Sequence, residues 1–338
     1  MKILIIGGAG FLGFHLVAYL EKIGHKVKVF DKNKGHFKNS KKKIILGDIN
    51  DYKKLRSVIR NQDVVYNLAA ISDIGDSITN PIGTTKSNIL ANVFILDLCV
   101  KFKIKKFIFA STIYVHSNQG SFYRVSKQSS ELFVEEYNKR YGLNYSIIRF
   151  GSVFGPKASK KNGLTRIINT AIKKNKIYYN GTKRAVRRFI YVKDAARGSA
   201  EVLKKKYNNK NLLLTGDNSI KISKVLHEVA KIFKIKKRAI YGNQRDKGHY
   251  DVNPYSYVPK KDIKLKIKNT INLKRGILEI VKEIKKKNKW KKTKIFLLHG
   301  IKLNIHIHLI FGIKFQKVVW NLCFHHLKLG KLILLKKL

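Results

Sequence analysis

Lys2-Ile-Leu-Ile-Ile-Gly7-Gly-Ala-Gly10-Phe-Leu-Gly13 is the stretch on which the reading of the chain turns. Residues 2–6 are an apolar run of the kind buried on both faces of a parallel sheet. Gly7, Gly10 and Gly13 follow, and Phe11 to Ile23 carries helical periodicity. Val27-Lys-Val-Phe30 reads as a second strand ending at Asp31, 18 residues after Gly13. Strand, glycine turn, helix, strand and acid make a βαβ unit suited to a dinucleotide. Glycines let the backbone turn tightly and approach a pyrophosphate, which rests against amide N–H groups at the helix N-terminus. Asp31 can accept hydrogen bonds from the adenosine ribose hydroxyls and repels a 2′-phosphate, so NAD is expected over NADP. Lys32 and Lys34 weaken that choice without reversing it.

The pattern repeats outward. Lys43-Ile-Ile-Leu46 leads into Gly47-Asp48, and Asp63-Val-Val-Tyr-Asn67 into Leu68-Ala69-Ala70. Lys106-Phe-Ile-Phe-Ala110 leads into Ser111-Thr112, and Asn144-Tyr-Ser-Ile-Ile148 into Arg149-Phe150. Helical segments lie between them, including one from Pro81 to Phe102. This alternation predicts an α/β fold with a Rossmann-like, doubly wound parallel sheet. Ligands of such sheets bind at the carboxyl ends of the strands, where Gly7, Asp31, Asp48, Ala69, Thr112 and Arg149 stand.

With 338 residues, 44% of them hydrophobic, the chain can bury a sizeable core and is not disordered. Cys99 and Cys323 are too few for a disulfide framework. The opening apolar run passes at once into the glycine turn, so it reads as a strand rather than a secretory signal, and a cytoplasmic location is expected. The formal charge of +52 invites a nucleic-acid or membrane reading. The lysines are spread along the chain without a recognition motif, as a compositional bias would place them, so no specific nucleic-acid partner is expected. Such a surface still favours anionic substrates.

Tyr123-Arg-Val-Ser-Lys127 places a tyrosine and a lysine about one helical turn apart, on one face. A lysine ammonium beside a phenol stabilises the phenolate, so Tyr123 is expected to have a lowered pKa and to serve as general base.

Gly7-Gly-Ala-Gly10-Phe-Leu-Gly13, Gly47-Asp48-Ile49, Asn67-Leu-Ala-Ala70, Ser111-Thr112, Tyr123-x-x-x-Lys127 and Arg187-Arg-Phe-Ile-Tyr-Val-Lys-Asp194 follow the order of the extended short-chain dehydrogenase/reductases. Within these, residues 1–285 resemble the NAD-dependent nucleotide-sugar epimerase/dehydratase group, typified by UDP-glucose 4-epimerase. The resemblance implies roles. Gly7, Gly10 and Gly13 cradle the NAD pyrophosphate with Phe11 and Leu12 close by, Asp31 holds the adenosine ribose, and Asp48 with Ile49 the adenine. Leu68, Ala69 and Ala70 line the nicotinamide side, where Phe150 packs and Ser111 adds a cofactor contact. Thr112, Tyr123 and Lys127 are the catalytic set, with Tyr123 and Lys127 also contacting the cofactor, Lys127 on the nicotinamide ribose. Arg187 meets the nucleotide diphosphate, a role that suits a guanidinium fork; the other reading is one more basic residue before a strand. Asn88 and Ser152 are further substrate candidates, each equally readable as a capping or loop residue. Arg245, in Arg245-Asp-Lys-Gly-His-Tyr250, reads either as a uracil or phosphate contact or as part of a surface loop.

The implied organisation is an NAD-binding Rossmann domain over 1–150, a smaller C-terminal α/β substrate domain over 151–286 with some interleaving, and a tail over 287–338. The implied assembly is a homodimer through the helices of the Pro81–Phe102 region and the helix carrying Tyr123. The implied activity is nucleotide-sugar 4-epimerisation through a 4-keto intermediate, serving polysaccharide or cell-surface glycan synthesis. A reductase or dehydrogenase on such sugars, and a non-catalytic NAD-binding homologue, are the alternatives.

The chain departs from the group in places. Ten residues separate Thr112 from Tyr123, fewer than usual, and His116-Ser117 replaces Tyr-Gly. Ser152 replaces a frequent asparagine. Ile113-Tyr114 stands where sugar 4,6-dehydratases carry Asp-Glu and near where decarboxylases carry a carboxylate, which argues against both reactions. Residues 284–338 hold 14 lysines and no acid. They read as an amphipathic segment seeking anionic membrane or as a non-selected extension. Their histidines, His306, His308, His325 and His326, lack metal-site spacing, so no metal is expected.

Overall fold

The computed structural model describes residues 1–237, 239–242, 248–255, 263–265, 267 and 269–286. Arg245 and the 287–338 tail lie outside the described residues. Met1–Val281 forms one compact unit, and Lys282–Leu338 a second, described only at 282–286, the end of a helix over 273–286.

The sheet grows from the opening stretch. Strands β1 (Lys2–Ile6), β2 (Lys26–Asp31), β3 (Ile44–Leu46), β4 (Val64–Asn67), β5 (Lys106–Thr112) and β6 (Tyr145–Phe150) are joined by Lys210–Leu214 and Ile263–Lys264. In space the order runs β3-β2-β1-β4-β5-β6, then 210–214 and 263–264, with every pairing parallel. The order therefore reverses beside β1, the kind of switch point at which a doubly wound sheet opens a crevice at its carboxyl edge.

Two cores follow from strand alternation. Ile3 and Ile5 enter one core with Leu16, Val17 and Leu20 of helix α1 (Phe11–Lys22) and Ala195 and Ala196 of the helix Val192–Glu201. Leu4 and Ile6 enter the other with Leu55 of α2 (Tyr52–Ile59), which α3 (Ile74–Thr79), α4 (Pro81–Thr84), α5 (Ala91–Lys101) and α6 (Ser121–Tyr141) follow in the chain. Ile95, Leu96 and Cys99 of α5 and Val134 of α6 complete that second core. Helices thus cover both faces, as the sequence predicts for this class.

The helix expected over Pro81–Phe102 is interrupted. A π-helical turn at Thr85–Leu90 separates α4 from α5, and α3 precedes them as a separate short helix. Beyond β6 the chain builds small strand pairs: Ser152–Phe154 with Phe189–Tyr191, Val186–Arg187 with Ile220–Lys221, and Tyr178–Tyr179 with Ile240–Tyr241. Lys210–Leu214 then returns to the main sheet beside β6. Among the described residues, no helix is long and apolar enough to cross a membrane.

Candidate active site

The glycine turn is closed to side chains. A Cβ on Gly7, whose φ is +78°, would meet the Ala69 amide nitrogen at 2.5 Å. A Cβ on Gly13 would meet the Gly8 Cα at 2.6 Å, whereas one on Gly10 would meet only the Gly7 carbonyl at 3.3 Å. Gly7 and Gly13 therefore let β1, α1 and the segment after β4 touch, and Gly10 caps α1 without a side-chain cap. The first turn of α1 holds no acid, so its amide dipoles remain available to an anion. Asp31 braces the turn. One carboxylate oxygen accepts from the Ala9 amide at 3.0 Å, the other from Asn33 at 3.3 Å. Phe11 and Leu12 open α1, half-buried at its first turn. Asp48 is exposed and accepts from the Asn50 amide at 2.7 Å, while Ile49 packs on the second core. Leu68, Ala69 and Ala70, all half-buried, leave the carboxyl end of β4 beside Gly7. The shape and donors of this crevice fit NAD: a turn too tight for side chains, an acid-free helix start and a carboxylate at the end of β2.

The strand end at Thr112 faces α6. Thr112 pairs in register with Phe150 and is buried, and its hydroxyl accepts from the Tyr114 amide at 3.3 Å and acts to lower the pKa of the Tyr123 phenol. α6 starts from Gly120 at φ +105°, and its inner face carries Lys127, Glu131 and Val134 below Tyr123. Burial pushes the Tyr123 phenol up to about 12, and the Thr112 hydroxyl pulls the other way. Burial pushes Lys127 down to about 7, opposed by the Glu131 charge. The lowering of the phenol expected from Lys127 is therefore opposed by the burial of both groups. Lys127 donates to the Ala110 carbonyl at 2.7 Å and lies 4.6 Å from the Phe109 ring centroid. Both groups are desolvated toward neutrality, because removing solvent penalises whichever form is charged.

Two expected contacts prove to be scaffold. Asn88 is 2% exposed in the π-helical turn. Its amide donates to the Ile71 carbonyl at 3.1 Å and Ser126 Oγ at 2.9 Å, and its oxygen accepts from the Ile71 amide at 2.8 Å. Ser126 Oγ in turn donates to the Tyr123 carbonyl at 2.8 Å. Asn88 therefore ties the segment after Ala70 to the Tyr123 turn and has no side-chain donor left for a substrate. Ser111 donates to buried Glu131, one turn beyond Lys127 on α6. Its hydroxyl is not available to a cofactor.

Sequence reasoning left Glu131 unassigned. It is 4% exposed and paired with Arg149, itself 1% exposed, through Nη2 at 2.6 Å and Nε at 3.0 Å. The pair fastens α6 to the end of β6. Helical spacing carried the signal, since Glu131 stands one turn beyond Lys127 on the same face.

The substrate-side residues lie on the small strands. Phe150 is buried at the end of β6, and Ser152 is half-buried, its amide donating to the Arg188 carbonyl at 2.7 Å. Arg187 is buried. Its Nη1 donates to the carbonyls of Val186 at 2.8 Å and Tyr250 at 2.6 Å, and its Nη2 to the Tyr179 hydroxyl at 3.4 Å. Its guanidinium lies 4.7 Å from the Tyr250 ring centroid. Among the described residues no group of His, Cys, Asp or Glu gathers as metal ligands.

Comparison with known proteins places this geometry. The model of the NAD dependent epimerase/dehydratase family matches residues 3–214. The chain is 30% identical over 314 residues to a putative UDP-glucose 4-epimerase of Methanocaldococcus jannaschii, covering 85% of this chain and 99% of the relative. It is 31% identical over 241 residues to a dTDP-D-glucose 4,6-dehydratase of Dictyostelium discoideum, covering 60% of this chain and 56% of that protein. Among solved structures, a UDP-glucuronic acid 4-epimerase from Bacillus cereus in complex with UDP-glucuronic acid and NAD is similar with a TM-score of 0.74 at 26% identity, covering 85% of this chain and 99% of that one.

Proposed function

The chain belongs to the NAD dependent epimerase/dehydratase family, and on that premise we propose that it is a nucleotide-sugar 4-epimerase acting through a 4-keto sugar. The observation that carries the reading is buried Thr112 at the end of β5, whose hydroxyl acts on the Tyr123 phenol and which is followed by Ile113 and Tyr114 rather than by carboxylates. Epimerisation needs one proton removed from the C4 hydroxyl and later returned. Elimination of water needs further acid and base groups on the sugar.

The glycine turn and the start of α1 hold the NAD pyrophosphate, Asp31 the adenosine ribose, and Leu68 to Ala70 the nicotinamide side. NAD, when bound, supplies a reversible acceptor for the C4 hydride. Tyr123 takes the C4 hydroxyl proton, with Thr112 in the hydrogen-bond relay. Lys127 and the other groups around Tyr123 must bring its phenol down from about 12 once ligands fill the site. Arg187 turns its remaining donors toward the diphosphate, with Ser152 near the sugar. Lys127→Ala therefore weakens both NAD binding and the base.

The proposed substrate is a nucleotide-diphosphate sugar. UDP-, GDP- and dTDP-hexoses, assayed for C4 epimer and for NADH absorbance, test the reading. An epimer forming without net NADH supports it, stoichiometric NADH points to the dehydrogenase alternative, and NAD-bearing protein inert on every sugar points to a non-catalytic homologue. The proposed assembly is a homodimer. Phe122, Val125, Leu132 and Phe133 are exposed on α6, and Ile82 beside it on α4. Sedimentation of the purified protein as a monomer would contradict that assembly.

A further inference from the structure

We propose that Tyr114, His249 and Tyr250 form the wall that reads the hexose, an inference resting on the nucleotide-sugar function above. Tyr114 follows Thr112 by two residues, and its amide donates to Thr112 Oγ1 at 3.3 Å. Its phenol shares a hydrogen bond with His249 Nδ1, across 135 residues of sequence. The Tyr114 ring lies 5.8 Å from the His249 ring and 5.1 Å from the Tyr250 ring. Tyr250 in turn carries the Arg187 guanidinium on its face and accepts from it at 2.6 Å through its carbonyl.

The wall therefore runs unbroken from the hydroxyl that works at C4 to the arginine assigned to the diphosphate. In a nucleotide sugar only the pyranose ring lies between those two points. Aromatic faces pack on the C–H face of a pyranose, a role for the half-buried rings of Tyr114 and His249, while Tyr250, 4% exposed, backs them and joins them to Arg187. The placement is enforced on both sides. A Cβ on Gly120 would meet Tyr114 Cδ1 at 2.9 Å, and one on Gly248 would meet the Ile74 side chain at 2.8 Å. Ten residues between Thr112 and Tyr123 leave little chain for a covering loop. Tyr114 and residues 248–250 take that place.

The test uses full-length, NAD-loaded protein carrying Tyr123→Phe, which stops the chemistry. Titration calorimetry gives the Kd of UDP-glucose and of UDP, which lacks the hexose. Tyr114→Phe removes the hydrogen bond and keeps the ring, and His249→Ala removes the partner. NAD content and melting temperature report folding. Each variant should weaken UDP-glucose by about fivefold or more, as loss of one hydrogen bond gives, and leave UDP within about twofold. Equal weakening of both ligands, or an unchanged Kd for UDP-glucose, overturns the wall while leaving the nucleotide-sugar reading intact. A parent that binds neither these ligands nor the GDP- and dTDP-hexoses of the panel defeats that reading and the wall with it.

Discussion

The sheet half of the site and the small-strand half are held by different means. Around the glycine turn, strands of three to seven residues pair in continuous parallel register, and β1 is buried over Ile3–Ile6. The Glu131–Arg149 pair and the Asn88 amide fasten α6 and the segment after β4 to that sheet. Beyond β6, the site-forming strands run to only two or three residues, and Arg187 joins them through backbone carbonyls and the Tyr250 ring. The first half is built for fixed geometry, which proton and hydride chemistry requires. The second is a set of small pieces that side chains join, a construction in which substrate choice can change without disturbing the chemistry.

The largest expected effect lies in the first half. Tyr123→Phe should lower turnover by about 10²–10⁴-fold, the usual range for a lost acid–base group, while NAD content stays unchanged. Near-normal turnover would remove Tyr123 from the chemistry. Glu131→Ala leaves Arg149 as an unpaired buried charge, so it should destabilise the protein by about 3–5 kcal/mol in urea titration. A loss under about 1 kcal/mol would show that the pair is not the fastening described. Arg187→Lys should cost less stability and weaken UDP by about tenfold, since a lysine cannot keep the planar stack and forked donors. Unchanged UDP affinity would take Arg187 off the diphosphate. Hydrogen exchange should separate the halves directly, with amides of β1 and β6 protected and those of Tyr178–Tyr179 and Val186–Arg187 exchanging first.

The smallest effect is a pH slope. Lys127 has an ordinary pKa of 10.5 when unfolded and about 7 when folded. Between those values the unfolded chain binds the extra proton, so stability rises with pH from about 7 toward 10.5, and below 7 the burial penalty is complete. Lys106, pushed to about 8 by burial, adds a slope of the same sign. The urea midpoint should rise between pH 7 and 9, and less steeply in Lys127→Met. An identical slope in that variant would assign the effect elsewhere.

The same division governs what the sequence discloses. The glycine turn, Asp31, Thr112 and the Tyr123–Lys127 face follow from strand ends and helical spacing, which are local rules. Ser111 looked like a cofactor contact, yet it donates to Glu131. Asn88 was a substrate candidate through the resemblance alone, equally readable as a capping or loop residue. It lies in the π-helical turn and is bonded to Ile71 and to Ser126 of α6, partners distant in sequence. The lowered pKa expected for Tyr123 considered Lys127 alone, whereas burial acts on both groups and dominates. Tyr114 and His249 meet across a sequence distance that no spacing rule covers.

The most direct measurement of the central claim is the fate of a label. UDP-glucose carrying deuterium at C4, given to catalytic amounts of the enzyme, should yield a C4 epimer that keeps its deuterium at C4, since the hydride leaves and returns to one carbon. Deuterium appearing at another carbon of the sugar, or in released NADH, would contradict the account.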